Sequence, residues 1–167
     1  ECMSNIRAEQ HKLDEHFKQY HGLAKFLWLE PEKAGGDLVI NADLKDYDFS
    51  GCDFLLLGTR GLTFPQNFTE TNPPYYRSDF LVQLKKRGVK HLLTDLPSVD
   101  REQDGGALAG HHAFWQKEDG TWREESTITE LCHFPADLVE GDYFINLQVA
   151  SFHNDAAPSR PVLYPIV

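Results

Sequence analysis

A chain of 167 residues, 41% hydrophobic and 12% aromatic, has the size and composition of one globular domain with a core of its own. Asp and Glu total 26 against 16 Lys and Arg, a formal charge of -10, and such a surface repels phosphate backbones, so no nucleic-acid partner is expected. No apolar run has the length of a membrane span and the first residues are polar, so neither a membrane partner nor a secretory leader is expected.

Ile6 to His21 carries Leu13, Phe17 and Tyr20 at helical spacing, with Asp14 placed to pair with Lys18. That pattern predicts an amphipathic helix closed by Gly22. His11, His16 and His21 would point to different sides of it, since five-residue steps turn about 140° each on a helix; they read as surface histidines. Lys25 to Leu29 and Asp37 to Ile40 are short strand candidates, split by Pro31 and Gly35-Gly36. Asp53 to Thr59 (DFLLLGT) is a nearly continuous apolar run, expected as a strand covered on both faces. Gly61 to Pro74, with Pro65, Pro73 and Pro74, reads as a loop.

Tyr76 to Arg87 then predicts a helix with Phe80, Leu81 and Leu84 on one side and Gly88 as its stop. Lys90 to Thr94 follows at once as a strand. Strand, helix and strand in that order form a crossover unit, most simply with parallel strands. Such folds place their sites in the loops beyond the strands, here from Thr59-Arg60-Gly61 and from Asp95-Leu96-Pro97-Ser98. The second loop runs through Asp100, Arg101 and Asp104 to His111-His112, in the first turn of a predicted helix. Ser126 to Leu131 alternates like a strand and sets Glu130 on the face of Ile128. Asp142 to Phe152 and Pro161 to Val167 are closing strands, with a turn at His153-Asn154-Asp155.

Two residues stand out chemically. His111 shares a helix face with Phe114 and Trp115 and so points inward, while His112 points aside. Glu130 is a carboxylate where an apolar residue is expected. An imidazole and a carboxylate from separate elements can hold Zn or Mn. The plainer alternatives are a core histidine bonded to backbone and an edge-strand carboxylate facing water. Asp100 could orient a ligand histidine through its other ring nitrogen or cap the loop backbone. Ser98 fits turn capping, because no Gly-x-Ser-x-Gly elbow surrounds it. Cys2, Cys52 and Cys132 lie far apart with no CxxC pair, which suits a reducing compartment, the cytoplasm.

In this order the segments resemble the cyclase family of metal-dependent hydrolases, which includes bacterial kynurenine formamidase (arylformamidase) and isatin hydrolase. The resemblance runs from about Asp53 to Val162. DFLLLGTRG looks like the family's strand with its Thr-Gly type turn, and RSDFLVQLKKRGVKHLLTDLPSVD like its helix, Gly-Val, strand and Ser-Ile-Asp loop, with Val99 in place of Ile. His111 followed by Glu130 is similar to the family's second pair of metal-site residues. GDYFINLQVASFHNDAAPSRPVL resembles the closing strands and the Pro-x-Arg segment at Pro158-Ser159-Arg160. Glu1-Cys2-Met3-Ser4-Asn5 looks like the tail of the motif His-x-Gly-Thr-His-x-Asp/Glu, with Glu1 as its carboxylate ligand. The two histidines before it are absent from this chain, and Asn5 stands where a proton-handling histidine belongs. Asn cannot serve as a general base; read from the residues alone, Asn5 is a helix N-cap before Ile6.

The resemblance implies an α/β fold of the swivelling β/β/α type, a mixed sheet with flanking helices, in a single cyclase-like domain over 1–167 that lacks its N-terminal segment. It implies a metal-dependent hydrolase of a cyclic amide, formamide or related carbonyl compound. Divalent Zn or Mn would sit on Glu1, His111 and Glu130, with Asp100 and Ser98 behind them, and no catalytic residue is singled out. A small-molecule substrate and a homo-oligomer are expected as partners. The competing expectation is a non-catalytic relative, binding small molecules or structural, that kept the fold and lost the base.

Overall fold

The computed structural model describes residues 2–6, 12–63 and 67–166. Its elements are β1 (Cys2–Asn5), α1 (Leu13–His16), β2 (His21–Leu29), β3 (Glu32–Ala34), β4 (Asp37–Ile40), β5 (Phe54–Thr59), β6 (Tyr75–Tyr76), α2 (Ser78–Lys86), β7 (His91–Thr94), α3 (Ala109–Trp115), β8 (Thr127–Glu130), β9 (Gly141–Val149) and β10 (Ala156–Pro165). Seven strands close into a barrel in the order β1-β10-β9-β2-β5-β7-β8, and β3-β4-β6 form a separate small sheet. This is a mixed α/β architecture with few helices. The predicted crossover is present: β5 and β7 pair in parallel, joined through α2, and β7 pairs in parallel with β8.

Every residue of β5 is buried, because its two faces serve two cores. Phe54 and Leu56 join Phe26, Leu93, Ile145, Leu147 and Ala157 inside the barrel. Leu55 and Leu57 point the other way, onto Phe80, Leu81 and Leu84 of α2 and Phe114 of α3, as the two-residue period of a strand requires. Parallel strands covered on both sides read as unbroken apolar runs, and DFLLLGT and HLLT are such runs. The closed ring leaves the carboxyl ends of β5, β7 and β8 together, and the polar loops that follow them meet there.

The first forty residues depart from expectation. Among the described residues of the expected helix only Leu13–His16 are helical, and residues 7–11 lie outside the described residues. Phe17 already has extended backbone, and no side chain caps the N-terminus of α1. Leu13 and Phe17 are buried as their spacing suggested, but His21 opens β2, which pairs with both β5 and β9. Two ladders of strand hydrogen bonds outweigh the modest helical preference of so short a stretch. Gly22, expected as a helix stop, is the second residue of that strand. Other boundaries shift by a few residues: the last strand begins at Ala156 rather than Pro161, and the helix expected from Tyr76 begins at Ser78. Among the described residues no helix is long and apolar enough to cross a membrane.

Candidate metal centre

α3 begins without an N-cap of its own. Leu108 precedes it in the left-handed conformation (φ 47°) and offers no side-chain bond, so the first amides of the helix need an acceptor from elsewhere. Asp100 supplies it. One carboxylate oxygen accepts from the Gly110 amide, and the other from the His111 amide at 3.3 Å and from His111 Nδ1 at 2.5 Å. Gly110 permits this approach: a Cβ there would lie 2.8 Å from the Asp100 oxygen. The Ser98 hydroxyl in turn accepts from the Asp100 amide at 3.1 Å. Asp100 therefore bonds the His111 ring, and the backbone it caps is the start of α3 rather than the loop.

With Nδ1 committed to Asp100, His111 turns Nε2 toward Glu130, whose Oε1 lies 3.5 Å away. Glu130 is not an edge carboxylate. β8 is flanked by β7 and β1, and the residue is only 9% exposed. Its Oε1 accepts from the Val99 amide at 2.9 Å and its Oε2 from Asn5 Nδ2 at 3.0 Å. The Trp115 ring packs against His111, centroids 5.0 Å apart. Among the described residues, Asn5 Oδ1 and Trp115 Nε1 beside this group are buried with no hydrogen-bond partner.

The electrostatics follow from burial set against pairing. Burial, the largest influence on His111, opposes its charge, but the hydrogen bond to Asp100 and the charges of Glu130 and Asp100 together lift its pKa above the ordinary histidine value. Asp100 is lowered: burial works against its charge, and the bonds from His111 and Gly110 outweigh it. Glu130 is raised by burial, which the His111 charge and the Val99 and Asn5 donors only partly offset.

Of the residues singled out in the sequence, His111, Glu130, Asp100 and Ser98 are brought together, while Glu1 lies outside the described residues. Among the described residues no group of three His, Cys, Asp or Glu side chains gathers as a metal cluster. Asn5 was misread. No helix starts at Ile6, whose amide bonds to the Asp155 carbonyl at 3.0 Å; Asn5 ends β1 instead, paired with Ile128 of β8. Asp95 was passed over. It accepts from the Thr59 amide at 2.6 Å and the Thr59 hydroxyl at 2.7 Å, fastening the ends of β5 and β7, with its pKa raised by burial. An acid directly after an apolar strand was its only signal. A surface groove lined by Phe68, Pro73, Pro97, Arg101 and Leu108 reaches the group through Ser98 and Asp100.

No family model matches the chain. Kynurenine formamidase of Bacillus mycoides is 30% identical to it over 125 residues, which make up 74% of this chain and 55% of that protein. Kynurenine formamidase of Bacillus cereus matches with the same identity and coverage. A solved structure described as a potential metal-dependent hydrolase with cyclase activity superposes with a TM-score of 0.60 at 17% identity, over 97% of this chain and 76% of the other. The chain belongs to the cyclase family. A second fold relative, a predicted metal-dependent hydrolase from Bacillus stearothermophilus, has a TM-score of 0.53 at 17% identity, over 97% of this chain and 75% of the other. At that identity the two structures speak for the fold alone. This cyclase-family chain spans about half the length of the curated relatives it matches.

Proposed function

We propose that the protein is a metal-dependent hydrolase of a cyclic amide, formamide or related carbonyl compound, similar to an arylformamidase. Glu1, His111 and Glu130 would hold a divalent cation, Zn or Mn. The observation that carries this reading is the approach of His111 Nε2 to Glu130 Oε1 at 3.5 Å while Asp100 occupies the other ring nitrogen. The residues fit such a cation: imidazole nitrogen and carboxylate oxygen suit both metals, and the unpartnered Asn5 carbonyl oxygen lies on a side chain bonded to Glu130.

The chemistry a cation supplies in such a site is Lewis acidity, which polarises a carbonyl and makes water nucleophilic near neutral pH. The chain's own residues do the positioning. Asp100 fixes the orientation of His111 and leaves Nε2 as the inward-facing nitrogen. The Val99 amide and the Asn5 amide group hold the two oxygens of Glu130 in place, and Ser98 steadies the Asp100 backbone. Trp115 covers one side of the imidazole and keeps water from it. The reading carries with it the swivelling β/β/α arrangement, a small-molecule substrate, a homo-oligomer and a cytoplasmic setting.

Asn5 supports a second reading. Its amide donates to Glu130 and has no basic atom to take a proton, as in a relative that binds a small molecule without turning it over. Metal analysis of the complete encoded protein tests the first reading. Stoichiometric Zn or Mn that disappears when His111 and Glu130 are both changed to Ala supports it, and an unchanged metal content removes it. Aryl formamides and cyclic amides offered to the parent and to Asn5→His separate the two readings: hydrolysis by either form favours the enzyme, and none by both favours the binding protein.

A further inference from the structure

The β1–β8 seam that presents Asn5 to Glu130 has a second face. Strand alternation turns Cys2 and Ser4 away from Glu130 and toward the barrel interior. There the Ser4 and Thr129 hydroxyls bond at 2.8 Å, both wholly buried, and Cys2 packs against the buried cluster that contains Cys132, whose thiol donates to the Thr129 carbonyl at 3.7 Å. Met3 pairs with Glu130, so Cys2 falls opposite Leu131. The left-handed backbone of Leu131 (φ 57°) carries the next residue inward, and the Cys132 amide anchors it to the Thr94 carbonyl at 2.9 Å. Cys132 is fully buried and Cys2 half-buried, and both are free thiols. One thiol within reach of solvent backed by a buried second one is the arrangement of an attacking and a resolving cysteine.

We propose that Cys2 and Cys132 are a reversible disulfide site that responds to peroxides, and that the bond fastens β1, with Asn5 on it, to the end of β8. The Cys2 sulfur attacks one peroxide oxygen; the O–O bond breaks, water leaves, and Cys2 becomes a sulfenic acid. The Cys132 sulfur then attacks the Cys2 sulfur; an S–S bond forms, the S–O bond breaks, and the thiol proton leaves with the oxygen as a second water. Two sulfurs are oxidised and both peroxide oxygens reduced. The four-residue β1 is held chiefly by its pairing with β10 and β8, so a covalent tie at its start restricts its freedom directly. The inference rests on the seam and not on a bound cation, so its test is independent of the metal analysis.

The test uses the full chain carrying Cys52→Ala. Cys52 lies just before β5, at the opposite end of the barrel, and its removal leaves only the proposed pair among the three cysteines of this sequence. After hydrogen peroxide, intact mass should fall by two hydrogens, and peptide mapping without reductant should recover Cys2 linked to Cys132. Amide exchange across β1 should slow about tenfold or more. Dithiothreitol should reverse all three changes, and Cys2→Ser should abolish them. Oxygen added to Cys2 without a cross-link overturns the disulfide, and a cross-link that leaves β1 exchange unchanged overturns the link to Asn5.

Discussion

His91 and His111 are both buried, at 1% and 8% exposure, yet their pKa values are pushed in opposite directions. His91 opens β7 between aromatic rings, stacked on Phe54 at 4.5 Å and edge-on to Phe17 at 5.4 Å, with a hydrogen bond between Nδ1 and the Thr127 hydroxyl at 3.0 Å. Burial there drives its pKa down to about 3. His111 sits between two carboxylates and is driven up. Low exposure therefore does not mark a site; the partner does. His91 is a filler of the core that happens to be an imidazole, and His111 is an imidazole held in one orientation between the Asp100 and Glu130 carboxylates.

The largest effect should come from removing what makes His111 different. Asp100→Ala strands the His111 ring and the Gly110 amide together, and breaking a buried pair of this kind costs about 3–5 kcal/mol; urea unfolding measures it, and a loss under 1 kcal/mol would make Asp100 a spectator. Next comes the pH response of His91. Its folded pKa of about 3 lies below the unfolded value of 6.5, so between them the unfolded chain binds a proton that the folded chain refuses. Stability from this residue is present above pH 6.5 and lost as pH falls toward 3, by about 2–3 kcal/mol between pH 6.5 and 4.5. His91→Leu should flatten that part of the profile whatever its offset; an unchanged slope would mean that His91 takes its proton in the folded state.

A smaller effect tests Asn5. Asn5→Ala removes one donor to Glu130 and should cost about 1–2 kcal/mol, and Asn5→Asp should cost more, because it puts a second carboxylate against the first. If the Asp variant is the more stable of the two, Glu130 is already protonated. The smallest effect belongs to the histidine next door. His112 is exposed and meets only the Trp122 edge, 5.4 Å away, among the contacts described for it, so His112→Ala should stay within about 0.5 kcal/mol of the parent. Thermal melts of the His111 and His112 variants side by side would show the contrast in two consecutive residues.

What could be read in advance was local. The inward turn of His111 followed from its spacing to Phe114 and Trp115, and the β5–α2–β7 crossover followed from two apolar runs on either side of an amphipathic stretch. The reach of Asp100 was visible as one of two options, because eleven residues of loop can fold back on themselves. Asn5 was not legible: its partner Glu130 is 125 positions away, and nothing in the first five residues specifies a strand register against β8. His91 was hidden for a different reason, since its aromatic cage comes from β5 and from Phe17, a residue whose helical spacing concealed an extended backbone. The ring closure was equally invisible, because alternation tells which face of a strand is covered and not which strand lies beside it.

The first strand of the barrel, only four residues long, also completes its circumference, hydrogen-bonded to β10 on one side and β8 on the other. A protein trimmed of those few residues would keep its folded interior but bare two raw borders of unpaired peptide groups, the kind of surface on which neighbouring molecules stack. Cloudiness in solution, well before any melting of the core, would be the first symptom of that trimming.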